Sequence, residues 1–279
     1  MEKYDLLRSQ LLYEGTIEEE NLFCPDTIKD IDVLRVHDPE YYRQLNELTL
    51  SKKAIRKTGF PLSAELVARE KVIMQGTLMC TQYALEHGVS MNIAGGTHHS
   101  YTAHGEGFCL LNDIAISAAY LTEKNPSMNI LVVDLDVHQG NGTAEIFRSN
   151  RKVFTFSMHG EKNYPMKKEQ SDLDIGLPDG TGDEVYLSRL TESLDRIFGK
   201  FEPNFVFYQS GVDVLASDKL GRLSMTSEGC YKRDEIVLKT CKERDLPVVA
   251  SMGGGYSEDV GVIVEAHANT FRLANDLYF

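Results

Sequence analysis

The segment ILVVDLDVHQGNG, residues 130–142, decides the fold class of this chain of 279 residues. It opens with an unbroken apolar run, Ile130–Val133, which is typical of a β-strand that is covered on both faces. Two aspartates and a histidine follow at once, and the chain then continues with the periodicity of a helix. A strand, a polar turn and a helix in this order form the repeating unit of proteins with a parallel sheet.

The same alternation continues from about residue 88 to the end. The predicted strands are Met91–Ala94, Ile130–Asp136, Val153–Met158, Phe205–Gln209 and Val248–Ser251. The predicted helices are Asn112–Glu123, Gly142–Ser149, Glu184–Phe198, Glu228–Arg244 and Glu258–Leu277. The tract Gly160–Asp183, rich in Lys, Asp, Gly and Pro, is predicted to be a long surface loop. The pattern predicts an α/β protein with three layers, α/β/α, around a central, mostly parallel sheet.

Residues 1–87 differ from the rest because they offer helices and no clear strand. The predicted helices are Lys3–Leu12, Pro39–Leu50 and Ala64–Glu86. No low-complexity linker and no internal repeat separates this part from residues 88–279. We therefore predict a single domain over residues 1–279, in which residues 1–87 form a mainly helical part.

The composition is that of a globular protein, with 42% hydrophobic and 25% charged residues. The net charge of −13 argues against unaided binding to nucleic acid or anionic membranes and favours cationic partners. No signal-peptide pattern and no apolar run of about 20 residues is present, so we expect no membrane span. A cytoplasmic location is predicted, or a nuclear one if the source is eukaryotic. The five cysteines form no C-x-x-C pair, which speaks against a cysteine zinc site.

Chemically unusual residues follow four of the predicted strands at their carboxyl ends. These segments are Gly95-Gly96-Thr97-His98-His99, Asp134-Leu135-Asp136-Val137-His138, Ser210-Gly211-Val212-Asp213 and Gly253-Gly254-Gly255-Tyr256. In an open parallel sheet the carboxyl ends of the strands line one crevice, where ligands bind. The four turns are therefore predicted to meet in one site.

Asp136, His138 and Asp213 form a candidate ligand set for a divalent cation. In an extended backbone the spacing of two residues places Asp136 and His138 on the same face. Two carboxylates and one imidazole suit a metal ion that keeps an open position. The alternative is that these side chains cap the following helix, but a cap explains only one acid at a turn.

The remaining turns supply candidates for proton transfer and for stabilising negative charge. Adjacent His98 and His99 beside a metal would transfer protons near neutral pH, although single histidines are more often structural. The glycines before Tyr256 permit close approach of the backbone, and the tyrosine hydroxyl could stabilise an oxyanion. A tyrosine taken alone is more often a core residue.

Together these segments resemble the histone deacetylase family, and most closely its class IV branch. The matching stretches are GGTHHSYTAHGEGFCLLND (95–113), VVDLDVHQGNGTAEIF (132–147), SGVDVLASDKLGRLSMT (210–226) and SMGGGYS (251–257). The pattern DxLxxDxLGxLS, here Asp213 to Ser224, together with HQGNG indicates class IV. The resemblance implies an arginase/deacetylase-like fold with its active site at the carboxyl ends of the strands.

The resemblance also implies a role for each matching residue. Asp136, His138 and Asp213 would hold Zn²⁺, with Fe²⁺ as an alternative. The tandem histidines would be His98 and His99, served by Asp134 and Asn141, and Tyr256 would polarise the substrate carbonyl. The substrate channel would comprise Gly107, Phe108, Tyr164, Gly254 and Gly255. A structural K⁺ near the zinc would use Asp134, Asp136, His138, Ser157 and Met158.

Two departures from the family pattern carry expectations of their own. Asn141 stands where several members have an aspartate, and a neutral amide favours His99 as a neutral base. The opening strand of the family, with its His-Pro turn, is missing before Met1. Either an edge strand is absent or the start of the sequence is misassigned. Part of the pocket rim depends on whether that strand is present.

The predicted activity is metal-dependent hydrolysis of an N-acyl-lysine amide, acetyl or longer, in a protein or peptide. The first alternative is an amidohydrolase of small acylated amines such as acetylpolyamines. The second is a catalytically weak protein that binds acyl-lysine. A metal-independent α/β hydrolase is disfavoured because no G-x-S-x-G motif is present. The acyl length, natural substrate and oligomeric state are not predicted.

Overall fold

The structure, a computed structural model, describes residues 2–279 and contains one sheet of six strands, all parallel. The strands are β1 (Val89–Asn92), β2 (Ile130–Asp134), β3 (Val153–Gly160), β4 (Leu173–Leu177), β5 (Phe205–Gln209) and β6 (Val248–Ser251). The helices are α1 (Glu2–Tyr13), α2 (Asp30–Val33), α3 (Pro39–Asn46), α4 (Lys52–Thr58), α5 (Ala64–His87), α6 (Asp113–Lys124), α7 (Asn141–Phe147), α8 (Asp183–Phe198), α9 (Ser227–Glu243) and α10 (Val260–Tyr278), with a 3₁₀ turn at Glu19–Asn21. The strand order is β1-β6-β5-β2-β3-β4.

The apolar run of β2 is continuous because both faces of this strand are covered. Leu131 and Val133 pack in a core cluster with side chains from α8, α9 and α10. Ile130 and Val132 point the other way, into a cluster with side chains from α5, α6 and α7. The three predicted layers, helices on both faces of a parallel sheet, are confirmed.

Most element bounds agree with the prediction, and the differences have local causes. β5 and β6 have the predicted bounds. The first strand lies two residues earlier than predicted, since the Asn92 side chain accepts a hydrogen bond from the Ala94 N–H (3.0 Å) and the chain turns there. α3 ends at Asn46, before Leu48, whose φ of 57° does not continue a helix.

The prediction that Gly160–Asp183 is only a surface loop was wrong. β4 lies inside this tract and pairs with β3 as an edge strand, with Phe156 opposite Leu173 and Gly160 opposite Leu177. Apolar residues at every second position, Leu173, Ile175 and Leu177, are the signal of a half-buried strand. The Asp and Gly residues between them obscured this signal.

The strand order brings the four polar turns together. β1, β6, β5 and β2 are successive neighbours, so the turns that follow them meet at one edge of the sheet. Within residues 2–279 no strand precedes Val89, which leaves β1 at the edge of the sheet beside a cavity of about 630 Å³. No helix in this range is long and apolar enough to cross a membrane.

The first helix, α1, packs against the last, α10. Leu7 and Leu11 of α1 are buried in one cluster with Met252, Val264 and Ala268. Gln10 donates a hydrogen bond to Glu265 (2.7 Å) across the same contact. This packing brings the amino end of α1 to the glycine-rich turn after β6.

Candidate active site

Asp136, His138 and Asp213 meet as predicted, in a buried group that could hold a metal ion. One ligand atom from each lies within 4.8 Å of the others. The His138 Nδ1 atom lies 3.0 Å from Asp136 Oδ1 and 3.2 Å from Asp213 Oδ2. The exposed fractions of the two aspartates are 1% and 0%.

The extended backbone that was expected to bring Asp136 and His138 together is not present, and that part of the prediction was wrong. β2 ends at Asp134, and the chain bends at residues 136–138 instead of remaining extended. The bend closes because the His138 N–H donates to Asp136 Oδ1 (2.9 Å). A short polar side chain that accepts a hydrogen bond two residues on is a common turn former.

Backbone donors from the neighbouring turns fix the two carboxylates. The Val137 N–H donates to Asp213 Oδ1 (2.9 Å), and the Gly254 N–H donates to Asp136 Oδ2 (2.8 Å). Gly254 is required here, because a Cβ atom at this position would lie 1.9 Å from Asp213 Oδ2. Three strand ends thus hold one ligand set.

The trio fits a divalent cation by its chemistry. The Asp213 Oδ2 atom is buried and accepts no hydrogen bond from residues 2–279. Burial, and then the charge of Asp136, raises the pKa of Asp213. Two carboxylates and an imidazole would be neutralised by a charge of +2, which removes the cost of burying the acids unpaired.

His98 is paired with a carboxylate. Its Nδ1 atom lies 2.6 Å from Asp134 Oδ2, and both side chains are buried. Burial alone would lower the pKa of His98, but the carboxylates of Asp134 and Asp136 outweigh it and raise the pKa to about 9. The pairing with Asp134 thus favours the charged form of His98.

His99 is paired with an amide and has the opposite character. Its Nδ1 atom lies 2.6 Å from Asn141 Oδ1. Burial, and then the positive charge of His98, lowers the pKa of His99 well below its ordinary value. Neighbouring groups whose pKa values are pushed apart are the usual signature of an acid and a base in one site.

Asp113, which was not predicted as a site residue, holds the turn that carries both histidines. Its carboxylate accepts hydrogen bonds from the N–H groups of Gly96 (2.9 Å) and Thr97 (2.8 Å). It also accepts from the hydroxyls of Thr97 (2.9 Å) and Thr77 (2.7 Å). It is the first residue of α6, so a helix on one face of the sheet fixes the position of the tandem histidines.

We expect Asp113→Ala to lower the free energy of unfolding by about 3 kcal/mol, because it leaves buried donors without an acceptor. Turnover should fall at least about tenfold, since His98 follows directly on the released turn. The control Asp195→Ala removes an exposed carboxylate from α8 and should change stability by less than about 0.5 kcal/mol. Urea unfolding and steady-state kinetics measure both effects. An Asp113→Ala protein as stable as the control would contradict the assignment.

Tyr256 follows the glycine-rich turn and lines the same cavity as Asp136 and His138. Its backbone N–H donates to Asp218 Oδ2 (2.6 Å), which fixes the turn. Burial raises the pKa of Tyr256, so the side chain remains a neutral hydroxyl and can donate a hydrogen bond. A neutral donor in a dry site is suited to stabilising an oxyanion.

The cavity has a volume of about 640 Å³. Four of the five predicted channel residues line it: Gly107, Phe108, Gly254 and Gly255. The Phe108 side chain is 45% exposed, and its ring centre lies 5.4 Å from that of Phe60 and 6.3 Å from that of Tyr256. The fifth residue, Tyr164, packs edge-on against His99, with ring centres 5.0 Å apart.

Lys3 reaches this cavity from the first helix and was not predicted. Its Nζ atom lies 3.4 Å from the Gly253 carbonyl oxygen and 3.5 Å from that of Gly255. The same atom lies 5.5 Å from the centre of the Tyr256 ring. No local sequence signal indicates this contact, because about 250 residues separate Lys3 from the turn.

Two of the predicted potassium ligands, Asp136 and His138, belong to the metal trio, and Asp134 Oδ1 accepts a hydrogen bond from the Asp136 N–H (3.2 Å). Asp134 and Ser157 are paired residues of β2 and β3. Ser157 Oγ lies 2.9 Å from His159 Nδ1, and Met158 is buried. A potassium ion at these residues stays a prediction.

Comparisons with known proteins identify the family of this chain. Residues 1–271 match the family described as Histone deacetylase domain. An uncharacterized protein of Picosynechococcus sp. is 43% identical over 278 residues, which cover 100% of this chain and 93% of the relative. A protein named Probable deacetylase, from Archaeoglobus fulgidus, is 31% identical over 89% of this chain and 73% of its own length.

Solved structures agree as well. The crystal structure of an HDAC homolog complexed with SAHA is similar with a TM-score of 0.85 and 26% identity, over 97% of this chain and 77% of the other. The HDAC homolog from Aquifex aeolicus has the same fold, with a TM-score of 0.83 and 24% identity over 96% of this chain and 77% of the other. The family match spans nearly the whole chain. The protein therefore belongs to the histone deacetylase family and is a hydrolase that acts on amides.

Proposed function

We propose that this chain is a zinc-dependent deacylase of the class IV branch, which hydrolyses the amide of N-acyl-lysine in proteins or peptides. One catalytic domain over residues 1–279 would carry the activity. The observation that supports this function best is the buried trio of Asp136, His138 and Asp213 beside a histidine pair of unlike charge. Such a trio next to a base and an acid is suited to metal-assisted hydrolysis.

Asp136, His138 and Asp213 would hold the cation, whose Lewis acidity would polarise the scissile carbonyl and make water a stronger acid. His99 accepts a proton from the attacking water, because its imidazole is neutral. The Tyr256 hydroxyl donates a hydrogen bond to the oxygen on which negative charge develops. His98, an imidazolium, returns a proton to the leaving nitrogen as the C–N bond breaks, giving a carboxylate and a free amine.

The cavity supports a substrate with a long, thin stem. Phe108 and Gly107 line its wall, and the exposed ring of Phe108 offers an apolar surface to the methylene groups of lysine. The net charge of −13 favours substrates with cationic flanks. Zn²⁺ is the proposed metal, Fe²⁺ is the alternative for this oxygen-rich ligand set, and a structural K⁺ would use the predicted potassium ligands.

Metal removal and replacement test this function. Treatment with a chelator should lower turnover of an acetyl-lysine peptide by at least about a hundredfold, and stoichiometric Zn²⁺ should restore it. Parallel assays with Fe²⁺, with longer acyl chains and with acetylpolyamines separate the metal and substrate classes. Turnover that survives complete metal removal would refute the mechanism. Stoichiometric metal without turnover of any acyl amide would instead favour an acyl-lysine-binding protein.

A further inference from the structure

Glu106 has no part in the proposed hydrolysis, yet it is buried directly behind the histidine pair. Its Oε1 atom accepts hydrogen bonds from Asn141 Nδ2 (2.7 Å) and from the Tyr164 hydroxyl (2.6 Å). Its Oε2 atom pairs with the Lys57 ammonium and lies 3.3 Å from His104 Nε2. One carboxylate oxygen thus faces inward and the other faces the rim of the cavity.

This arrangement determines how the amide of Asn141 is oriented. Burial opposes ionisation, but hydrogen bonds from its four neighbours outweigh it and hold the pKa of Glu106 below its ordinary value. An ionised carboxylate can only accept hydrogen bonds. The NH₂ group of Asn141 must therefore face Glu106, and the amide oxygen must face His99.

The orientation of Asn141 in turn decides which nitrogen of His99 carries the proton. An amide oxygen can only accept, and it lies 2.6 Å from His99 Nδ1. His99 must therefore be protonated on Nδ1, which leaves Nε2 free to accept a proton. Asn141, oriented by Glu106, thus gives His99 Nδ1 an acceptor, as Asp134 directly gives one to His98 Nδ1.

We propose that Glu106 is a positioning residue that keeps His99 in the Nδ1-protonated tautomer by orienting the amide of Asn141. The kinetic consequence rests on the proposed function, in which His99 is the base. The tautomer itself is a property of the hydrogen-bond network and can be measured without any substrate.

Two single substitutions should each break the network. In Glu106→Gln, Lys57 attracts the one remaining acceptor oxygen, so the new NH₂ group faces Asn141, turns its amide and moves the His99 proton to Nε2. In Asn141→Asp, the new carboxylate faces that of Glu106, and the two repel each other. In the wild type, Asn141 Nδ2 and Glu106 Oε1 are 2.7 Å apart. Each change should lower kcat at least about tenfold and alter KM by less than about threefold.

The double substitution Glu106→Gln with Asn141→Asp should restore the hydrogen-bond network, with the amide and the carboxylate exchanged between the two positions. The new glutamine donates its NH₂ to the new aspartate and keeps its oxygen toward Lys57. The new aspartate accepts from His99 Nδ1. We expect kcat within about fivefold of the wild-type value, so the two losses are strongly non-additive.

Glu145→Gln on α7 is the matched control. It makes the same change in a carboxylate that binds Thr102 (3.1 Å), and it should leave kcat within about threefold of wild type. Nitrogen-15 NMR of the histidine side chains should show the Nδ1–H tautomer of His99 in the wild type and the double variant, and Nε2–H in Glu106→Gln.

The outcomes separate this inference from the proposed function. If the wild type shows no turnover on any acyl amide, the proposed function fails, and the NMR tautomers still decide the role of Glu106. The inference is overturned if Glu106→Gln leaves the His99 tautomer unchanged. It is also overturned if the fold-loss of kcat in the double variant equals the product of the fold-losses in the two single variants.

Discussion

Asp213→Asn is expected to abolish stoichiometric zinc binding and to lower turnover by about a thousandfold or more. The substitution keeps the shape of the side chain and the Oδ1 atom that accepts from the Val137 N–H. It removes only the Oδ2 acceptor, which is buried and without a hydrogen bond from residues 2–279. Loss of a charged ligand leaves two ligands for the cation, and its Lewis acidity contributes several kcal/mol to catalysis.

The measurement is zinc content after dialysis, followed by steady-state kinetics at saturating zinc. Asp172→Asn is the matched control, because it makes the same change in a carboxylate that binds Thr155 of β3 (2.8 Å and 3.0 Å) and does not line the cavity. That control should retain one zinc per chain. Full zinc occupancy in Asp213→Asn, with the ion still released by a chelator, would show that this trio is not the metal site.

Tyr256→Phe should lower kcat by about a hundredfold or more, with KM changed by less than about threefold. The ring remains in place against Phe108 and beneath the Lys3 ammonium, so packing is preserved and only the hydroxyl is lost. Removal of one oxyanion donor typically costs about 3–4 kcal/mol in the transition state. An interaction made only in the transition state lowers kcat and leaves ground-state binding unchanged.

Tyr231→Phe on α9 controls for the loss of a tyrosine hydroxyl outside the cavity and should keep wild-type kinetics. The thermal midpoints of both variants should lie within a few degrees of the wild-type value. A Tyr256→Phe enzyme that turns over at the wild-type rate would remove the hydroxyl from the mechanism.

The sequence predicts which side chains of the candidate site meet where the residues directly follow a strand. Asp136, His138, Asp213 and Tyr256 each lie just beyond the end of an apolar run, and parallel strands bring such ends together. β5 and β6 were predicted with the right bounds because their apolar runs end sharply in polar or Gly-rich segments. β4 was missed because its edge position permits an Asp and a Gly between the apolar residues.

Residues that act through distant partners could not be predicted in this way. Glu106 and Asp113 both lie in the stretch that carries the family resemblance, but their partners belong to other elements. Lys3 reaches the turn after β6 only because α1 packs on α10. These contacts depend on the full three-dimensional packing, of which periodicity along the chain gives no sign.

The packing of α1 on α10 also affects how the chain folds during its biosynthesis. A ribosome adds roughly 5–20 residues per second, so the start of α10 follows the end of α1 after roughly 10–50 seconds. Until then Leu7 and Leu11 have no apolar surface of α10 to cover them. The apolar face of α1 therefore lacks its cover from α10 while residues 14–259 are translated, and we expect chaperones that shield apolar helices to bind it during that time.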